Sequence, residues 1–274
     1  MTGPADALDL ERDVADDLAL ALAVADQADA FTLRHFVAHD FSVDWKTNAT
    51  EVTEIDRDAE RLIVDALVDA RPDHGVFGEE HGLAGDGDAS WRWMIDPIDG
   101  TSGFVRGIPV WATLIALVHD DRPVLGVVSA PALGFRWWGG LGLGASMSAH
   151  GATRPLSVST VDDIAEAQVS ITHNDGWDAL GTTGALVSLQ QRARRSRGMG
   201  DFWQHMLVAE GAMDLAVDAI GVAPYDLAAV QPIVEAAGGT FTDRHGEATH
   251  LHDSAISSNG ILHADVIAAL ATES

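Results

Sequence analysis

The sequence predicts a mixed chain: an α+β first half followed by an α/β second half. Three observations predict it. Two stretches near the start carry apolar residues at helical spacing, and a series of β-type runs follows. Beyond residue 152, short apolar runs alternate with helical segments, the pattern of strands interleaved with helices.

Residues 10 to 38 place Leu18, Ala21, Leu22 and Ala25 at i, i+3, i+4, i+7 and predict an amphipathic helix. The polar stretch HDFSVDWKTNATEV then reads as a loop or irregular hairpin. From about Glu54 to Ala70, the side chains of Ala59, Leu62, Ile63, Ala66 and Leu67 share one face of a second helix. Thr53-Glu54-Ile55-Asp56 resembles a capping box at its start, and Arg71-Pro72 ends it. Gly75-Val76-Phe77-Gly78 is a short apolar run, and LAGDGDAS (83–90) has loop composition. Trp93 to Ile95 predicts a strand that Pro97 stops, because proline cannot donate to a ladder. Ala112 to Val118 and Val124 to Ser129 predict strands joined by HDDRP, and Arg136 to Gly139 predicts another. A Gly-, Ala- and Ser-rich stretch at 139–152 suggests a division into 1–143 and 144–274. Past it, strands at 167–171, 214–218 and 239–243 alternate with helices near 176–190, 201–212 and 226–237.

Charge excludes several function classes. The chain has 42 Asp and Glu against 16 Lys and Arg, a formal net charge of -26. Phosphate backbones and anionic membranes would repel it, so no nucleic-acid or membrane partner is expected. An anionic substrate would need local positive charge, and bound metal ions are the obvious source. Cysteine is absent, which removes disulfides, thiolate zinc sites and cysteine nucleophiles. The N-terminus carries acids where a signal peptide needs bases, and no apolar run approaches about 18 residues. A cytoplasmic location is the expectation.

The segment WMIDPIDGTSGF (93–104) concentrates the chemistry. Asp96 and Asp99 are two hard carboxylates three positions apart. Gly100 lets the backbone approach a ligand, and Thr101 sits where free N–H groups can bind an anion. Oxygen donors of this type suit Mg²⁺, which shares its shell with substrate phosphates. An Asp-Pro turn with an Asx cap fits the same residues. Glu79 and Glu80, between Gly78 and Gly82, are either solvated turn residues or site residues on a loop. Asp226, in Ala223-Pro224-Tyr225-Asp226-Leu227, caps a helix or turns toward a metal. Asp56 has the same two readings, and Lys46, the one lysine, is either a surface residue or leans toward the site.

These blocks occur in one order: VTEID, GEE, DPIDGT, PYDLAAVQPIVEAAGG and a final ISSNG. In order and spacing the chain resembles the inositol monophosphatase-like family of Mg²⁺-dependent, Li⁺-sensitive phosphatases. Within it, VRGIPVWATLIALV, GVVSAPALGFRWWGG and RGMGDFWQHMLVAEGAMDLAVD look most like the histidinol-phosphate phosphatase branch of actinobacteria.

The resemblance implies a layered αβαβα sandwich, a homodimer, and two to three Mg²⁺ ions that Mn²⁺ could replace. Glu79 and Asp96 with the Ile98 carbonyl would hold one ion; Asp96, Asp99 and Asp226 a second; Glu79 a weaker third. Gly100 and Thr101 N–H groups would bind phosphate. Thr101, paired with Asp56, would orient the attacking water, with Glu79 also in the catalytic set. Asp201 and Trp203 would meet the imidazole and ammonium of a small phosphorylated metabolite; helix capping and core packing are their alternative roles.

The chain departs from the family pattern at Ser102-Gly103, where Lys-Ser or Lys-Asn is usual, at Tyr225 for Trp, and at Glu51 for Asp. The first removes a cation beside the phosphate site. A haloacid-dehalogenase motif, D-x-D-G-T, has its aspartates two apart; here they are three apart with proline between. A phosphatase of the same superfamily acting on inositol 1-phosphate or another sugar or nucleotide phosphate, and a non-catalytic metal- and anion-binding protein, are the remaining alternatives.

Three further signals point elsewhere. RARRSR (192–197) reads as a solvated helix end, and GGLGLGA (139–145) lacks dinucleotide-binding spacing. HGEATHLHD (245–253) reads as a polar hairpin or loop and not a zinc site.

Overall fold

The computed structural model describes residues 14–46 and 51–271; residues 10–13 of the expected first helix lie outside them. Helix α1 (Ala15–Ala38) buries Asp17, Ala21, Val24, Ala25 and Ala28. Small side chains dominate that stripe and let the helix approach its sheet, while Leu18 and Leu22 flank it half-buried. In the polar stretch that follows, β1 (Val43–Trp45) pairs antiparallel with β2 (Glu51–Thr53), and residues 47–50 of that stretch lie outside the described residues. Helix α2 (Glu54–Ala70) starts at the expected capping box. Thr53 Oγ accepts from the Ile55 and Asp56 amides, and Asp56 accepts from the Thr53 amide at 2.9 Å.

Strands β3 (Gly75–Gly78) and β4 (Gly82–Gly85) pair antiparallel. The start of the stretch read as loop is therefore strand. β4 lies at the sheet edge and buries little, so it lacks the apolar signal of a central strand. β5 (Trp91–Asp99) runs through Pro97 instead of stopping at it, and a register shift absorbs the proline. The one-turn helix α3 (Thr101–Val105) follows. β6 (Ala112–His119) and β7 (Arg122–Ala130) form the expected hairpin. Asp120 and Asp121 turn it with φ of 46° and 63°, the left-handed pair that a tight hairpin needs. β8 (Phe135–Gly140), β9 (Gly144–Ala149) and β10 (Ala152–Pro155) complete an eight-stranded sheet, ordered β10-β9-β8-β7-β6-β5-β3-β4. The stretch 139–152 lies within this sheet, and the chain leaves it after Pro155.

The second half contributes β11 (Gln168–Ile171), α4 (Asp175–Ala179), α5 (Thr183–Arg192), β12 (Arg195–Arg197), α6 (Asp201–Ala209) and β13 (Leu215–Val217). It continues with α7 (Pro224–Leu227), α8 (Val230–Ala236), β14 (Thr240–Thr242), β15 (Ile256–Ser258) and α9 (His263–Ala271). Its five strands are ordered β12-β11-β13-β15-β14. The helix expected at 176–190 is two helices, α4 and α5, as is the one at 226–237. The basic run does not simply end a helix: Arg195–Arg197 adds an exposed edge strand parallel to β11.

Three apolar clusters fix five layers. Ala21, Val24 and Ala28 of α1 and Ile63 and Leu67 of α2 cover one face of the large sheet at Trp93, Ile95, Ile115 and Val127. The other face, at Leu114, Val128 and Trp137, packs on Phe202 and Met206 of α6 and on Val230 and Ile233 of α8. Those helices lie against the second sheet, whose far side buries Trp177, Leu186, Leu189, Val266 and Leu270 of α4, α5 and α9. The layering is αβαβα, as expected. The strand end at Asp99 and the starts of α3, α6 and α7 converge on one cleft.

Candidate active site

The central feature is the irregularity of β5. Alternation along a strand would send residues three apart to opposite faces. Here Asp96 pairs with Leu114 and Asp99 with Ala112, so three steps on β5 oppose two on β6. The extra residue is a bulge, and it turns both carboxylates into one cleft. Pro97 fits there because the bulged backbone donates no ladder bond. The Ile98 amide donates to Asp96 Oδ1 at 2.9 Å, which fixes the turn.

The cleft encloses about 270 Å³ and is lined by Glu79, Asp96, Ile98, Asp99, Gly100, Thr101, Asp201 and Asp226, with Glu51, Ser102 and Tyr225 at its sides. Every residue expected to bind metal or phosphate is in it. A larger groove of about 520 Å³ lies between α1 and β8. Its charges are already matched, Arg136 reaching Asp29 at 2.6 Å and Asp26 at 2.7 Å.

Carboxylate oxygens of Asp96, Asp99 and Asp226 all lie within 4.8 Å of one another. Asp226 is the third residue of α7, and its Oδ2 accepts the Ala223 amide at 2.7 Å. Burial, then Glu79, Asp99 and Asp226, push Asp96 well above the usual carboxylate range. Burial, then Asp201 and Asp226, do the same to Asp99, although the Phe202 amide donates to it at 2.8 Å. Burial raises Asp226 to about 7 against that Ala223 bond, with Glu79 adding to the rise. Buried like charges of this kind call for a cation, and an all-oxygen donor set fits Mg²⁺.

Glu79 is held differently. Lys46 from the end of β1 donates to Glu79 at 2.7 Å and to Glu80 at 2.5 Å. Burial still lifts Glu79, with Lys46 opposing the rise. Of the two readings of Lys46, the structure gives the one that leans into the site.

Behind the cleft, Thr101 Oγ lies 3.0 Å from Asp56 Oδ1 and 2.9 Å from the Ile98 carbonyl. Its single proton serves one of them at a time. Asp56 also accepts from the Thr53 hydroxyl at 2.6 Å. Burial nevertheless raises its pKa. Asp56 thus uses one oxygen to cap α2 and the other to meet Thr101. Gly100 precedes α3 with φ 85°, a conformation that favours glycine.

Asp201 lines the cleft, and Gly200 occupies the cap position of α6, with no side-chain capping bond there. Asp201 is itself left-handed at φ 49°, which aims the next amide, that of Phe202, at Asp99. Burial and Asp218 raise Asp201 to about 6. Trp203 packs half-buried against the central cluster and does not line the cleft.

The sequence reading missed Glu60. It lies buried on α2 and accepts the Glu80 and His81 amides, each at 2.7 Å, and His81 Nδ1 at 2.9 Å. It thereby holds the turn that carries Glu79. A Cβ on Gly78 would sit 2.3 Å from its carboxyl carbon, so a side chain there would displace the Glu60 carboxylate from the turn it holds. The available signal was a glutamate adjoining the apolar face of α2, one residue after Ala59.

The chain is a layered αβαβα protein whose acidic cleft gathers oxygen donors of the kind a divalent cation takes. Residues 13–274 match the inositol monophosphatase family, and the chain belongs to it. It is 46% identical over 260 residues to a histidinol-phosphatase of Mycobacterium tuberculosis, covering 93% of this chain and 98% of that one. A histidinol-phosphatase of Streptomyces coelicolor is 44% identical over 264 residues, covering 93% and 97%. Among solved structures, Thermotoga maritima IMPase superposes with a TM-score of 0.81 at 31% identity, covering 93% of this chain and 96% of that one. The extragenic suppressor protein SuhB of Bartonella henselae gives 0.85 at 25% identity, covering 95% and 100%. The chain is a phosphomonoesterase of this family. Among the described residues, no helix is long and apolar enough to cross a membrane.

Proposed function

We propose that the chain hydrolyses histidinol phosphate to histidinol with Mg²⁺ in the cleft. The observation that carries the substrate assignment is Asp201. It adds a carboxylate to the cleft beyond the three clustered aspartates, in a chain 46% identical to a histidinol-phosphatase. Histidinol phosphate carries an ammonium and an imidazole, and a carboxylate attracts both cations. Inositol phosphate leaves as a neutral polyol and needs no such charge.

Asp96, Asp99 and Asp226 would hold one ion, and Glu79, Asp96 and the Ile98 carbonyl another, with Glu79 offering a weaker third position. When bound, Mg²⁺ supplies Lewis acidity, activating water and stabilising the leaving alkoxide. The residues of the chain do the positioning. Thr101 accepts a hydrogen bond from the attacking water and passes its own proton toward Asp56. Asp56, with its raised pKa, is a competent acceptor for that proton. Gly100 and Thr101 amides receive phosphate oxygens. Asp201 holds the cationic end of the alcohol.

The test is phosphate release with Mg²⁺ from histidinol phosphate, inositol 1-phosphate and fructose 1,6-bisphosphate. Histidinol phosphate should lead by at least tenfold in kcat/KM, about 1.4 kcal/mol of transition-state preference. A tenfold lead for inositol phosphate sinks the substrate assignment. Asp201→Asn should raise KM for histidinol phosphate more than for inositol phosphate; equal effects on both substrates would remove Asp201 from recognition.

A further inference from the structure

Six carboxylates line the cleft, those of Glu51, Glu79, Asp96, Asp99, Asp201 and Asp226, and among the described residues no basic side chain lines it. A phosphate monoester arrives there as an anion. Two cations touch the lining residues. Lys46 is engaged twice, by Glu79 and Glu80. Arg106 is engaged differently.

Arg106 caps the C-terminal end of α3, one turn beyond Thr101. Its Nη1 lies 2.8 Å from Glu51 Oε1 and donates to the Ser102 carbonyl at 2.8 Å, and it also meets the Ser102 hydroxyl. Glu51 and Ser102 both line the cleft, so the guanidinium touches two of its lining residues without lining it itself. All these contacts use Nη1. The Nε and Nη2 hydrogens, three donors in one plane, have no partner among the described residues. The Arg106 side chain is 54% exposed while that of Glu51 is 12% exposed. The carboxylate is therefore the fixed partner and the guanidinium the movable one.

We infer that Arg106 is a binding residue for the phosphoryl group of the substrate, parked on Glu51 until an anion competes for it. The inference rests on the phosphatase reading of the cleft. Guanidinium matches phosphate with paired, charge-assisted hydrogen bonds, and its three open donors can take phosphoryl oxygens while Nη1 keeps Ser102. Glu51 then acts in two ways. It holds the cation beside the cleft lining, and it opposes anion binding by competing for the same group.

This two-sided role separates a binding device from a structural ion pair. The experiment measures inorganic phosphate binding to the Mg²⁺-loaded full chain by calorimetry, beside KM for histidinol phosphate. Arg106→Gln should weaken phosphate binding and raise KM by about tenfold each, equivalent to about 1.4 kcal/mol, with a smaller effect on kcat. Arg106→Lys should recover part of both. Glu51→Gln should tighten phosphate binding, because it removes the competitor and a negative charge. A structural ion pair predicts that both variants lower the melting temperature and move phosphate affinity the same way. That result, or an Arg106→Gln protein with unaltered phosphate affinity, overturns the inference. Because phosphate binding is read directly, the inference is tested even if none of the panel substrates is hydrolysed.

Discussion

Two places among the described residues gather three metal-type donors within 4.8 Å: Asp96, Asp99 and Asp226 in the cleft, and Asp243, Glu247 and His252 in the loop after β14. By donor count they are equals. Electrostatically they are opposites. In the loop, Asp243 Oδ1 accepts the His245 and Glu247 amides, each at 2.8 Å, and Oδ2 meets His252 Nδ1 at 2.9 Å. Burial works against the Asp243 charge, but His252 and those amides outweigh it and hold its pKa below the ordinary value. In the cleft, burial and neighbouring carboxylates push Asp96 and Asp99 far upward. The loop supplies its own hydrogen-bond partners, whereas the three aspartates of the cleft mostly face one another. Carboxylates that face one another, and not the number of donors, mark the place where a cation belongs.

The sharpest way to break this contrast is to remove one carboxylate from each place. Asp96→Asn should lower turnover by more than about 100-fold, the upper range seen even for groups that only support metal ligands. The same variant, stripped of metal with EDTA, should melt no lower than the wild type, because it loses a repulsive charge. Near-normal phosphate release would end the metal assignment.

The next effect tests the support of the cleft. Gly78→Ala drives a methyl into the Glu60 carboxyl and should cost about 1–3 kcal/mol of stability, as overpacking does. It should also raise the Mg²⁺ concentration needed for half-maximal activity, since Glu79 follows Gly78 directly. An alanine variant with unaltered Mg²⁺ dependence would show that Glu60 does not set the position of Glu79.

Acidity sharpens the contrast further. Asp226 at about 7 and Asp201 at about 6 hold protons in the folded, metal-free protein that the unfolded chain has released above about pH 4. The folded state then binds more protons, so metal-free stability should fall as pH rises from about 4 to 7. A loss of about 1 kcal/mol is roughly 2–4 °C of melting temperature in a domain of this size. Mg²⁺ should restore more stability at pH 7.5 than at pH 5. A metal-free melting temperature that climbs through this window would contradict the raised values.

The smallest effect belongs to the loop. His252→Ala removes the half-exposed partner of buried Asp243, which keeps its two amide donors, and should cost about 1 kcal/mol. Phosphate release should not change.

What the sequence disclosed follows the same physics. Local rules were readable: the Thr53 capping box, the hairpin around Asp120 and Asp121, and the helical face of α2 each depend on neighbours in the chain. The acidic set of the cleft was readable because Glu79, Asp96, Asp99 and Asp226 lie in short blocks whose order resembles one family. The bulge in β5 was not readable. Pro97 reads as the end of a strand when the strand is taken alone, and only pairing with β6 shows that the strand continues. Edge strands β4 and β12 escaped because they bury little and so lack a periodic signal. Glu60 escaped for the opposite reason: burial makes it important, and its partners lie twenty residues away in the chain.

The central claim is that the three aspartates of the cleft, and not the Asp-Glu-His loop, bind the divalent ion. Calorimetric titration of Mn²⁺ into metal-free wild type, Asp96→Asn and His252→Ala proteins tests it most directly. The account predicts that wild type and His252→Ala bind alike and that Asp96→Asn loses the binding heat. Binding retained by Asp96→Asn but lost by His252→Ala would contradict it.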